Sequence, residues 1–121
     1  MIRTITDKDI QPYLAETEKL GLSFCNSTEY YGKFEDGVLV AFSGILWYSK
    51  KAVFKNAYVL PDHRHNGYFK ELFRYRIIAV RERGIKLIEA NCSTMSLPLY
   101  IKMGAKITKQ FKDWTQVQLK L

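Results

Sequence analysis

The residues Arg64-His65-Asn66-Gly67-Tyr68-Phe69 stand between an apolar run that stops at Leu60-Pro61 and a stretch whose apolar positions recur with a helical period. A helix starting here turns its unpartnered first N–H groups, and the positive end of its dipole, towards the loop. That suits an anion such as a phosphate. Gly67 lets the anion approach the main chain closely. Taken alone, the same residues fit an ordinary strand-to-helix turn equally well. Further along, Ser93 and Tyr100 offer a hydroxyl and a phenol. Glu29, Glu35, Glu89, His63 and His65 could each take a proton, and the sequence does not choose among them. The histidine pair also reads as a solvated basic turn.

These side chains need a scaffold, and the patterning supplies one. Ile2–Ile5 reads as a strand, followed by a helix to about Leu20. Pro12 fits that helix only in its first turn, which favours Asp9 over Thr6 as the cap, and Gly21 ends it. Tyr30–Phe34 and Val38–Tyr48 flank Glu35-Asp36-Gly37, a strong hairpin signal, and a turn at Ser49-Lys50-Lys51 leads into a third strand, Ala52–Leu60. From Tyr68 the period changes to that of a helix, with Phe69, Leu72, Phe73, Ile77 and Val80 on one stripe and Lys70, Arg74 and Arg81 on another face. Arg76 and Arg83 read as flanking the cationic face. After Gly84 come a short strand Lys86–Ala90, a short helix at Leu99–Met103 and a terminal hairpin, Lys106–Phe111 with Trp114–Lys120. The expected fold is one α+β domain over residues 1–121, a mainly antiparallel sheet of about six to seven strands flanked by helices.

The pattern Val59-x-Pro61-x-x-Arg64-x-x-Gly67 before an amphipathic helix resembles the Q/R-x-x-G-x-G/A signature of the GNAT superfamily of acyl-CoA N-acyltransferases. Ser93-x-x-Ser96-x-x-Leu99-Tyr100-Ile101-Lys102-Met103-Gly104-Ala105 resembles that family's N-x-x-A-x-x-L-Y-x-x-x-G-F segment. The resemblance implies acetyl-CoA as co-substrate, lying where the strand ending at Leu60 parts from the strand Lys86–Ala90. It places main-chain groups of Tyr58, Val59 and Leu60 on the pantetheine arm. The amides of His65, Asn66, Gly67, Tyr68 and Phe69, after Arg64, would hold the pyrophosphate. Ser93 would contact the cofactor in place of the family's asparagine, and Tyr100 would stand near the cofactor sulfur as the catalytic group. Phe69 occupies the position of the signature's second small residue.

The implied reaction is acetyl transfer to a primary amine by direct attack, with an N–H near Leu60 stabilising the oxyanion. Many relatives carry a glutamate on the strand before the loop, but residues 52–60 contain no acid. An aliphatic amine of pKa about 10.4 is only about 0.1% neutral near pH 7.4, a cost of about 4 kcal/mol that a base must offset. Water reached past Asn56 and Tyr58 is a further acceptor for that proton. For Tyr100, an ordinary phenol at about 10 and a thiol at about 8.5 differ by about 2 kcal/mol.

The formal net charge of +7 suits a phosphate-rich cofactor, and by charge alone it also admits nucleic acid, although no nucleic-acid motif accompanies it. An alternative to the enzyme is a CoA-binding regulatory or interaction module with weakened catalysis; another is a polyanion-associated acyltransferase. Cys25 and Cys92 lack metal-ligand spacing, so free thiols and no metal are expected. No apolar run reaches the roughly 20 residues of a membrane helix, and the start lacks a signal-peptide pattern. Both predict a cytoplasmic protein. The acceptor is a small-molecule or protein amine, and the terminal hairpin offers an edge for a homodimer.

Overall fold

Asp36 and Gly37 both take positive φ, 50° and 78°. That geometry matches the twist of paired strands and doubles the chain back between β2 (Thr28–Glu35) and β3 (Val38–Trp47). The computed structural model describes residues 1–19 and 27–121. Around this hairpin the described residues build a seven-stranded sheet in the order β1-β2-β3-β4-β5-β7-β6. The other strands are β1 (Ile2–Ile5), β4 (Ala52–Val59), β5 (Leu87–Cys92), β6 (Lys106–Gln110) and β7 (Thr115–Lys120). All neighbours run antiparallel except β4 and β5. The helices are α1 (Asp7–Ile10), α2 (Leu14–Lys19), α3 (Tyr68–Glu82) and α4 (Leu97–Lys102). The expected mixed sheet flanked by helices is what forms.

The cap of the first helix is Thr6, not Asp9. The Asp9 carboxylate instead accepts the Thr6 N–H at 3.0 Å. Pro12 sits in a 3-10 turn, Gln11–Tyr13, that joins α1 to α2, because a proline cannot supply the N–H a continuous helix needs there. The expected stop at Gly21 lies outside the described residues.

Each face of the sheet has its own core. On one, Leu72, Phe73, Ile77 and Val80 of α3 and Tyr100 of α4 pack on Phe54, Ile88, Ala90, Val117 and Leu119. On the other, Ile10, Tyr13 and Leu14 cover Tyr30, Leu39, Phe42 and Tyr58. Phe54 and Tyr58, four apart on one strand, would share a face in a regular strand. They face opposite ways because β3 pairs Phe42 with Tyr58 but Gly44 with Lys55, which leaves an extra residue bulged at Asn56-Ala57.

That bulge lies beside the feature that matters most for a ligand. β4 and β5 pair only at Ala52–Ile88, Val53–Glu89 and Phe54–Ala90. β4 then continues to Val59, still on β3, while β5 stays with β7 as far as Cys92–Thr115. The sheet therefore divides after Phe54 and Ala90 and leaves a cleft between two strands that each keep their other neighbour.

Candidate functional site

The loop that opens α3 lies at the outer end of this cleft. After a 3-10 turn at Pro61–His63, Arg64 is extended, His65 takes φ 66° and Gly67 caps α3 at φ 78°. A positive φ is uncommon for a residue with a Cβ, and such turns direct successive N–H groups into one concavity. Asn66 Nδ2 braces the loop by donating to His63 O at 3.1 Å. The first intrahelical bond runs from Glu71 N–H to Gly67 O, 3.1 Å. The preceding N–H groups, through Lys70, thus stand at the positive end of a 15-residue helix. Among the described residues a Cβ on Gly67 would meet no atom within 4 Å, so the glycine answers to its φ and to whatever approaches from outside.

The open edge of β4 is selective about which main-chain groups it offers. Leu60 N–H donates to Val40 O at 2.9 Å, so it is engaged with β3 and is not the free oxyanion donor expected above. In an antiparallel ladder the next residue turns its polar groups the other way, and Val59 does so: its carbonyl accepts Arg64 Nε at 3.0 Å. Val59 thus presents its main chain to the cleft, whereas Tyr58 and Leu60 direct theirs to β3. The Tyr58 side chain crosses to the opposite face, where its hydroxyl donates to Glu16 Oε2 at 2.7 Å. Burial, and then that carboxylate, raise the Tyr58 pKa.

Tyr100 is buried inside the core below the cleft, with its ring edge-on to Phe73 at 5.0 Å. Burial pushes its phenol up to about 12, against the opposing pull of nearby Arg76. Phe69 is half-buried and stacks on Phe73 at 6.4 Å. Ser93 has a local task. Its N–H donates to Ser96 Oγ (3.1 Å), the Ser96 N–H donates to Ser93 Oγ (3.3 Å) and Leu97 N–H donates to Ser93 O (3.0 Å), so the two serines start α4 reciprocally.

The acid and base candidates separate by face. Glu29 accepts the Tyr31 hydroxyl on the α3 side, and burial followed by Glu29 raises that phenol's pKa. Glu35 and Glu71 share Lys33, at 3.3 and 2.9 Å. His63 and His65 belong to the loop. Glu89, paired with Val53 one position before the strands part, lies between Ile88 and Ala90 of the α3-side core and so faces away from α3. Its carboxylate is 18% exposed and lies near Lys51 Nζ (3.5 Å), Gln116 Nε2 (3.5 Å) and Gln118 Nε2 (3.4 Å). The side chain of Asn56 lies outside the described residues.

Two residues were missed by the sequence reading. Glu16 gave no signal, since only the fold brings α2 onto Tyr58. Arg76 is not part of the cationic face. Lys70, Arg74 and Arg81 are exposed, but Arg76 is only 1% exposed. The signal was present in the spacing 72, 73, 76, 77, 80, which assigns position 76 to the buried stripe.

The model of the acetyltransferase (GNAT) family matches residues 2–105. No curated protein matches the sequence. Among solved structures, an IAA acetyltransferase from Bacillus cereus ATCC 14579 superposes with TM-score 0.78 at 16% identity, covering 100% of this chain and 99% of that one. A GNAT family acetyltransferase from Elizabethkingia anophelis with acetyl-CoA bound gives 0.73 at 16% identity, covering 100% and 97%. The ribosomal-protein-S18-alanine N-acetyltransferase from Escherichia coli gives 0.78 at 15% identity, covering 100% and 92%.

Proposed function

Because the chain belongs to the acetyltransferase (GNAT) family, we propose that it is a cytoplasmic enzyme moving an acetyl group from acetyl-CoA to the primary amine of a small molecule or protein. The observation that carries this reading is the division of the sheet after Phe54 and Ala90, next to the positive-φ loop at the start of α3. A long, narrow arm can lie between two strands that no longer pair, and the phosphates at its end reach the helix N-terminus.

The residues present fit that co-substrate. Val59 offers its cleft-facing N–H to an amide-bearing arm, its carbonyl being held by Arg64. The amides from His65 to Phe69 face the pyrophosphate, and exposed Lys70 and Arg74 lie on the same helix for the remaining charge. Arg64 holds the Val59 carbonyl and so fixes the junction of strand and loop. With Leu60 engaged, the oxyanion donor falls to the bulge segment Asn56-Ala57 at the head of the cleft. Glu89 is the carboxylate placed beside Val53, the nearest substitute for an acid on β4, and we assign it the proton released by the amine. Tyr100 hydrogen-bonds the departing sulfur.

Calorimetry with acetyl-CoA tests the binding half: no heat at millimolar cofactor overturns the reading. Thiol release with a panel of amines tests the chemistry. A second reading, a CoA-binding module without turnover, is favoured by the absence of any acid on β4 and by the use of Ser93 in starting α4. Binding without thiol release for any amine would select it.

A further inference from the structure

Arg76 is among the most completely buried side chains of the described chain, yet it carries a charge. Its Nη1 donates to Gly44 O at 3.3 Å and its Cζ stands 4.1 Å over the Phe54 ring. Among the described residues Nε and Nη2 meet no acceptor at hydrogen-bond distance, and the Tyr100 hydroxyl is the polar group acting most strongly on the guanidinium. Among the described residues no carboxylate pairs with it. An uncompensated buried cation costs several kcal/mol, and a leucine would fill the stripe without that cost. The titratable groups acting on it include Tyr100, Tyr31 and Cys92, all neutral until they lose a proton.

Their placement is specific. Phe54 is the last residue of β4 to pair with β5, Gly44 pairs with Lys55 immediately beyond it, and Cys92 ends β5. The guanidinium therefore lies under the point where the two strands part, beside the phenol proposed to meet the sulfur.

We propose that Arg76 is a positioning residue for thiol departure: it orients the Tyr100 hydroxyl towards the cofactor sulfur, and its free charge favours the thiolate formed there. The inference rests on the acetyl-CoA reading above. In the step it assists, the amine nitrogen bonds to the acyl carbon and the C–S bond breaks. The electron pair stays on sulfur, and the surplus proton of the amine leaves through the Glu89 side. Until that moment no carboxylate among the described residues neutralises the cation, an arrangement already oriented for the charge that develops.

The test is the ionisation of CoA bound to the full chain, followed by thiolate ultraviolet absorbance across pH, in the parent protein, Arg76→Lys and Arg76→Gln. The expected result is at least a tenfold larger thiolate fraction than in free CoA at a pH below its midpoint, since an adjacent cation lowers a pKa by about one unit or more. Arg76→Lys keeps most of the effect and Arg76→Gln abolishes it, whereas loss of packing alone would not move the thiol midpoint. CoA that binds but ionises as in free solution overturns the role of Arg76 and leaves the cofactor reading standing. CoA that does not bind overturns both. Should Arg76→Gln fail to fold, Arg76→Met, which removes the charge at similar volume, replaces it, and a parent thiol midpoint equal to that of free CoA overturns the role by itself.

Discussion

Replacing Tyr100 with phenylalanine removes one oxygen and leaves the ring against Phe73, so it separates the phenol's chemistry from its packing. With the phenol pushed up to about 12 and a thiol near 8.5, the gap is about 3.5 units, or about 5 kcal/mol. Complete proton transfer from Tyr100 to the thiolate is therefore costlier than the 2 kcal/mol obtained from an unperturbed phenol. Hydrogen bonding to the departing sulfur is the role that remains. Such a bond to a charged group contributes about 1.5–3 kcal/mol, which predicts a kcat lower by about 10–150-fold in Tyr100→Phe. The acetyl-CoA Kd should change by less than about twofold, since the ground-state sulfur is neutral. Steady-state thiol release and calorimetry on the same preparations check the two numbers. An unchanged kcat, or equal losses in kcat and affinity, would refute the reasoning. The variant also has a signature that needs no substrate. A raised folded-state pKa means that the native protein holds this proton more tightly than the unfolded chain. The stability so gained is complete below pH 10 and is lost as pH rises towards 12. Thermal melts of the parent protein should fall across that window, and those of Tyr100→Phe should fall less.

Glu89→Gln should lower kcat/KM for a lysine-like amine by about 100- to 10,000-fold near pH 7.4. The deficit should shrink as pH approaches the acceptor's own pKa, and a pH-independent loss would exclude proton removal as the role of Glu89. Gly67→Ala places a Cβ at φ 78°, which costs about 1–2 kcal/mol of stability by backbone strain alone. Because that Cβ meets no atom of the described residues within 4 Å, its larger effect should be outward, with acetyl-CoA binding weakened at least tenfold by calorimetry. Unchanged affinity would show that the cofactor does not approach this residue.

Much of the scaffold was legible because its signals are local. Asp36-Gly37 takes positive φ wherever it occurs in a tight hairpin, and Leu72, Phe73, Ile77 and Val80 bury one helical stripe without reference to what lies beneath. Arg64, Gly67 and the segment from Ser93 to Ala105 supported a family resemblance that the match over residues 2–105 bears out. Arg76 was misread because residue type was given more weight than period. Leu60 looked like a cleft-facing residue because sequence does not reveal where a ladder's alternation begins.

By itself, then, the sequence determined the order of elements, the turn types and the seat for an anion before α3, since each depends on residues a few positions apart. Tertiary structure alone decided the division of the sheet, the bulge that sends Phe54 and Tyr58 to opposite faces, the main-chain groups left free on β4, and the meeting of Arg76 with Tyr100. Those features depend on register and on contacts between residues far apart in the chain. A shift of one position in pairing exchanges the faces of a strand without altering a single residue.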